Sequence, residues 1–197
     1  MNIDKNEIIA FFDRCALFWD ETMIKDGELI RCILDNADVR AGKTVLDVAT
    51  GTGVLIPDYL ERGVALVTAV DFSPEMIQIA KSKFREENVR LICADVFDLT
   101  EWERYDCIVV YNAFPHFPAP EALIAHLTKL LKVGGTLTVA HGMSREQLCA
   151  HHSGSAKRVS VELLHEDALA ELMSKTLSVS VKISNHRMYQ VSARKMR

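Results

Sequence analysis

Apolar and polar residues change rhythm along this chain in a regular way. Short apolar runs at residues 45–49, 64–70, 89–93, 106–111 and 136–140 have the pattern of strands buried on both faces of a sheet. Between them, apolar residues recur every three or four positions, as on an amphipathic helix. Asp4 with Glu7 three residues on marks a helix start, after which Ile8, Phe12, Cys15 and Trp19 fall on one face. A second helix over residues 26–37 carries the stripe Leu29, Ile30, Ile33 and Leu34. A short helix with Pro57 in its first turns stops at Gly63, and another, capped by Ser73 and opened by Pro74 and Glu75, runs to about residue 87. Residues 121–131 form a helix closed by Gly134 and Gly135. Ser144 and Gln147 frame a capping box that opens one more.

Strands and helices in strict alternation give a parallel sheet with helices on both faces. The tail changes period. Val179, Val181 and Ile183 alternate with polar residues, Asn185-His186 can turn, and residues 188–193 alternate again, which predicts an antiparallel hairpin. Residues 152–160, rich in Ser, Gly, Lys and Arg, are expected to be a mobile loop.

The first apolar run leads straight into Thr50-Gly51-Thr52-Gly53. Glycines here let the backbone turn sharply and approach a ligand closely, because no Cβ intervenes. The second run ends in Asp71, where a carboxylate at a strand tip can accept from both hydroxyls of a ribose. A nicotinamide cofactor is one candidate ligand. Against it, Val54, Leu55 and Ile56 stand where a dinucleotide fingerprint has its third glycine, and Asp47 lies inside the strand, where it can face an ammonium.

The residues from Val45 to Gly53 resemble the first motif of the class I S-adenosylmethionine-dependent methyltransferases, with Ala49 where a glycine is usual. Asp71-Phe72-Ser73-Pro74-Glu75-Met76 resembles their second motif, and Ala94-Asp95-Val96 their adenine-binding segment. The resemblance implies an α/β, Rossmann-like sheet of seven strands, mostly parallel, ending in an antiparallel hairpin. It also implies a donor site built from Asp47, Thr50, Gly51, Gly53, Asp71, Phe72, Met76, Asp95, Val96 and Asn112, for S-adenosyl-L-methionine and its product S-adenosyl-L-homocysteine. One methyltransferase domain over residues 1–197 is expected, with residues 1–40 as helices covering the donor and residues 41–197 as the catalytic sheet. A donor-binding regulator without activity is the rival from another class, and a nicotinamide-dependent oxidoreductase a third.

The 197 residues, 49% of them hydrophobic, suit one domain with a sizeable core. A net charge of −4 gives no basic footprint for nucleic acid or membrane, so a small-molecule acceptor is expected. The polar start and the lack of a long apolar stretch point to the cytoplasm. Five scattered cysteines predict free thiols, mostly buried. Oligomeric state is not legible.

Methyl transfer needs a base only for a protonated acceptor, and His116 and His141, at the ends of strands four and five, are placed to serve. With His151 or His152 they could also form a three-imidazole site for a divalent transition metal. The plainer alternative is a strand-end histidine and a solvated pair.

Overall fold

The structure, a computed structural model, describes residues 4–100, 103–151 and 158–196. Strands β1 (Thr44–Val48), β2 (Leu66–Asp71), β3 (Val89–Cys93), β4 (Tyr105–Tyr111), β5 (Leu131–His141), β6 (Ser178–Ser184) and β7 (Tyr189–Arg194) form one sheet in the order β3-β2-β1-β4-β5-β7-β6. The first five are parallel, and β7 lies antiparallel to both β5 and β6. The chain winds outward from β1 to β3, then returns to place β4 on the other side of β1. That reversal opens a crevice beyond the carboxyl ends of β1 and β4.

Helices α1 (Lys5–Cys15), α2 (Trp19–Thr22) and α3 (Gly27–Asn36) precede the sheet; α4 (Ile56–Glu61), α5 (Pro74–Lys83), α6 (Pro120–Leu130), α7 (Arg145–His151) and α8 (Glu166–Ser174) connect its strands. Ile30 and Leu34 of α3 and Tyr59 of α4 cover Val45, Val67 and Val109 on one face. Leu123 and Leu127 of α6 with Leu169 and Met173 of α8 cover Leu46, Ile108, Val110 and Val139 on the other. Alternation of side chains along β1 and β4 thus sends Asp47 and Tyr111 to the α3 side. Among the described residues, no helix is long and apolar enough to cross a membrane.

Local signals fixed most helix starts. Asp4 caps α1 by accepting from the Asn6 amide, Asp26 caps α3, and Ser73 caps α5. The Ser144 box forms as expected: its hydroxyl accepts from the Gln147 amide while the Gln147 side chain accepts from the Ser144 amide.

Elsewhere tertiary contacts override the local pattern. Helix α5 ends at Lys83 rather than near residue 87, because Phe84 turns into extended backbone and lays its ring against Gly53. Gly134 and Gly135 lie inside β5, not after a helix: the Gly134 amide donates to the Lys195 carbonyl, and the Lys195 amide to that of Gly135. Helix α8 has no counterpart in the sequence expectations. Its buried stripe is only Leu169 and Met173, and its cap is a histidine, His165, whose Nδ1 accepts from the Asp167 amide. The expectation that the cysteines are mostly buried is also corrected. Of the four described, Cys107 alone is buried; Cys32 and Cys93 are exposed, on the outer side of α3 and at the end of an edge strand. Most of the 152–160 loop lies outside the described residues.

Candidate functional site

A cavity of about 1070 Å³ runs along the ends of the strands from Asp95, past Asp71, Gly51 and Asn112, to Met143 and Arg187. At its centre, Asp47 is buried, with Thr50 Oγ1 donating to one carboxylate oxygen at 2.6 Å and the Tyr59 hydroxyl to the other at 3.2 Å. Burial outweighs those donors and pushes its pKa up to about 7. Asp71 accepts from the Gly51 amide at 2.8 Å and the Ser73 amide at 2.9 Å; burial again prevails, raising it to about 6.

The turn between these acids depends on backbone conformation. Gly51 has φ +58° and Ala49 φ 55°, both left-handed, which explains why glycine is usual at the position Ala49 occupies. Gly53 answers to a different demand. A Cβ there would come within 2.6 Å of the Phe84 ring and 2.8 Å of Ile56, so this glycine lets α4 and the chain after α5 pack together.

The N-terminal segment roofs the cavity. Asp13 accepts from Ser73 and from the Glu75 amide, Asp20 bridges Thr52 and Lys83, and Lys25 pairs with Asp58. Lys5 pairs with Asp95, which also caps a turn by accepting from the Phe97 amide. Each exposed pair contributes little, about 0–1 kcal/mol, so the roof rests as much on its aromatic rings. Phe12 meets Trp19 and His116 edge to face, with ring centroids 5.7 and 4.8 Å apart.

At the β4–β5 end, Asn112 Oδ1 accepts from the Gly142 amide at 2.9 Å and ties the two strand tips together. A Cβ at Gly142 would collide with the Tyr111 hydroxyl, whose pKa burial raises to about 12, leaving it protonated. His116 donates from Nδ1 to the Val159 carbonyl at 2.8 Å. A carbonyl can only accept, so that proton is fixed and Nε2 is the basic nitrogen of the neutral ring. Phe117, Met143 and Leu148 supply apolar wall, while Arg187, paired with Asp26 at 2.9 Å, closes the far end.

A family model for the methyltransferase domain matches residues 45–135, from β1 into β5. A ubiquinone biosynthesis O-methyltransferase from Coxiella burnetii is 33% identical over 144 residues, 69% of this chain. The chain spans 61% of that relative's length. The chain belongs to the class I S-adenosylmethionine-dependent methyltransferases. Its fold matches that of the N-methyltransferase NodS from Bradyrhizobium japonicum, solved with S-adenosyl-L-homocysteine, at a TM-score of 0.78 and 14% identity over 96% of this chain and 99% of that one. A Haloferax volcanii methyltransferase complex with the activator Trm112 contains a chain matching at 0.77, with 18% identity over 94% of this chain and 98% of that one.

Of the residues expected to hold a methyltransferase donor, Asp47, Thr50, Gly51, Asp71, Phe72, Met76, Asp95, Val96 and Asn112 all line the cavity. Gly53 does not. His116 lines it as well, whereas His141 is fully buried, its ring 6.1 Å from that of Tyr189 on the neighbouring strand, and it is absent from the cavity wall. The two histidines are therefore not brought together there. Among the described residues no three His, Cys, Asp or Glu side chains gather as a metal site. His152 and the side chain of His151 lie outside the described residues. Sequence reasoning missed Lys5, Tyr59, Tyr111 and Arg187, which reach the site or its acids through contacts distant in the chain and carry no local motif, and Gln147, which it read only as part of a helix cap.

Proposed function

We propose that this protein transfers the S-methyl group of S-adenosylmethionine to a small-molecule acceptor, with His116 as general base. The observation that carries the reading is one continuous cavity with carboxylates at one end and a tautomer-fixed histidine among apolar walls at the other. An ionised carboxylate offers about four acceptor positions, and two of Asp71's are taken by amides, so it keeps room for both ribose hydroxyls. Asp95 and Val96 receive the adenine edge, Phe72 and Met76 flank the base, and Asp47, Thr50, Gly51 and Asn112 surround the amino-acid tail. When bound, S-adenosylmethionine supplies a methyl group on a positively charged sulfur, a good leaving group.

His116 removes the acceptor's proton onto Nε2, and the Val159 carbonyl steadies the resulting imidazolium through Nδ1–H. Positioning supplies much of the remaining rate. The O-methyltransferase named among the relatives supports an oxygen acceptor, and the apolar wall favours one with an aromatic or alkyl body. The N-terminal helices are the cover that keeps water from the reacting atoms. We take residues 1–197 as one methyltransferase unit.

The test is formation of S-adenosylhomocysteine with phenolic and carboxylic acceptors offered one at a time. Acceptor-dependent product supports transfer. Tight donor binding without product from any acceptor would instead favour a donor-binding regulator.

A further inference from the structure

Helix α1 has two working faces. Lys5, Ile8 and Phe12 look into the large cavity, while Glu7, Ala10, Phe11, Arg14 and Cys15 line a second one of about 700 Å³ together with Arg158 and Val159. Phe11 belongs to both walls. The volume suits a small molecule.

The charge of its described wall is unbalanced, with two arginines against one glutamate. Arg62, Arg90, Arg145, Arg187 and Arg194 are each held by a carboxylate. Arg14 and Arg158 form no ion pair among the described residues, yet share one concavity in which Glu7 is the only acid among the described lining residues. Two guanidinium forks over an apolar surface of Phe11, Ala10 and Val159 match a planar or tetrahedral anion carried on a small apolar body.

We propose that this second cavity binds an organic anion, a carboxylate or phosphate on an aromatic or alkyl group, through Arg14 and Arg158. Occupancy reaches the first cavity by two routes. Phe11 partitions the two spaces and contacts Phe12 edge to face at 5.3 Å, and Val159 presents the carbonyl that fixes His116. The anion is either the far end of the acceptor or a separate effector; both sources share this chemistry. The assignment stands apart from methyl transfer, since it concerns binding alone.

Cys15 in the cavity wall gives a direct readout. The full-length protein is alkylated with iodoacetamide, and modification of Cys15 is followed by peptide mapping with increasing phenyl phosphate or, separately, benzyl alcohol. Saturable protection by phenyl phosphate and none by benzyl alcohol is expected. In Arg14→Gln and Arg158→Gln each lost guanidinium should cost about tenfold in the protecting concentration, the worth of one charge-assisted hydrogen bond. A further arm adds S-adenosylmethionine. In that arm 4-hydroxyphenyl phosphate replaces phenyl phosphate: methylation of its phenol oxygen, whose proton passes to His116 Nε2 as S-adenosylhomocysteine leaves, marks the acceptor's own end, and unchanged probe marks an effector. Absence of protection, equal protection by benzyl alcohol, or full protection in the double variant would overturn the proposal.

Discussion

The two ends of the large cavity are built on different principles. At the β1–β3 end, Asp47, Gly51, Asp71 and Asp95 sit at or just beyond the tips of strands, each within a short motif, and hold backbone amides or near neighbours in sequence. At the β4–β5 end, His116 is fixed by Val159, 43 residues away, and roofed by Phe12 from the first helix. The acids of the first end fall in short motifs, with Tyr59 and Lys5 reaching them from farther along the chain. The second is assembled from distant segments.

The largest effect should come from the assembled end. His116→Gln is expected to lower methyl transfer about 10²–10⁴-fold, the usual contribution of a general base. Donor affinity, measured in parallel by calorimetry, should hold. Normal turnover by the variant would remove His116 from the chemistry.

Next in size is a test of the local end's packing. Gly53→Ala introduces a Cβ against Phe84 and Ile56 at a residue with φ +86°, and should destabilise the protein by about 2–4 kcal/mol in urea unfolding. Because Gly53 does not line the cavity, the folded variant should bind donor nearly as well. A stable variant with lost donor affinity would reverse that assignment.

This contrast also explains what the sequence disclosed. Five parallel strands, the C-terminal hairpin and the strand-tip carboxylates that line the cavity were legible, because burial runs, caps and strand-tip acids are local signals. The early end of α5 at Lys83 was not, since the cause is the fit of Phe84 onto Gly53. Nor was the path of Gly134 and Gly135 through β5, which depends on pairing with Lys195. His141 shows the same limit: its place at a strand end suggested a reactive imidazole, but β7 pairs across it and puts Tyr189 beside it.

Acidity provides a smaller, graded test. Burial raises Asp47 to about 7 and Asp71 to about 6 from a usual 3.8, so both lose their protons across roughly pH 6–7. A cationic donor with ribose hydroxyls needs the charged forms. Its affinity should therefore rise through that window and level off above it, with protons released on binding. Calorimetry in two buffers of different ionisation enthalpy reads the release directly. For the ligand-free chain the sign is opposite: raised folded pKa values mean that stability from these two acids falls as pH climbs from about 4 to 7. Donor affinity that stays flat from pH 5.5 to 8 would mean that neither acid titrates in the site.

The smallest effect belongs to Ala49→Gly. Relief of the left-handed φ of 55° is worth about 1–2 kcal/mol, largely offset by the extra freedom glycine gives the unfolded chain, so a gain within about 1 kcal/mol is expected in urea unfolding. A clear loss of stability would show that the Ala49 methyl packs usefully.

The central claim is that the β1–β3 end holds the adenosyl donor through Asp71. Calorimetric titration of the purified protein and of Asp71→Ala with S-adenosylmethionine tests it most directly. A charge-assisted hydrogen bond is worth about 1.5–3 kcal/mol, so loss of the ribose pair should weaken binding tens-fold or more while the variant still unfolds cooperatively. Equal affinity in the two proteins would contradict the account.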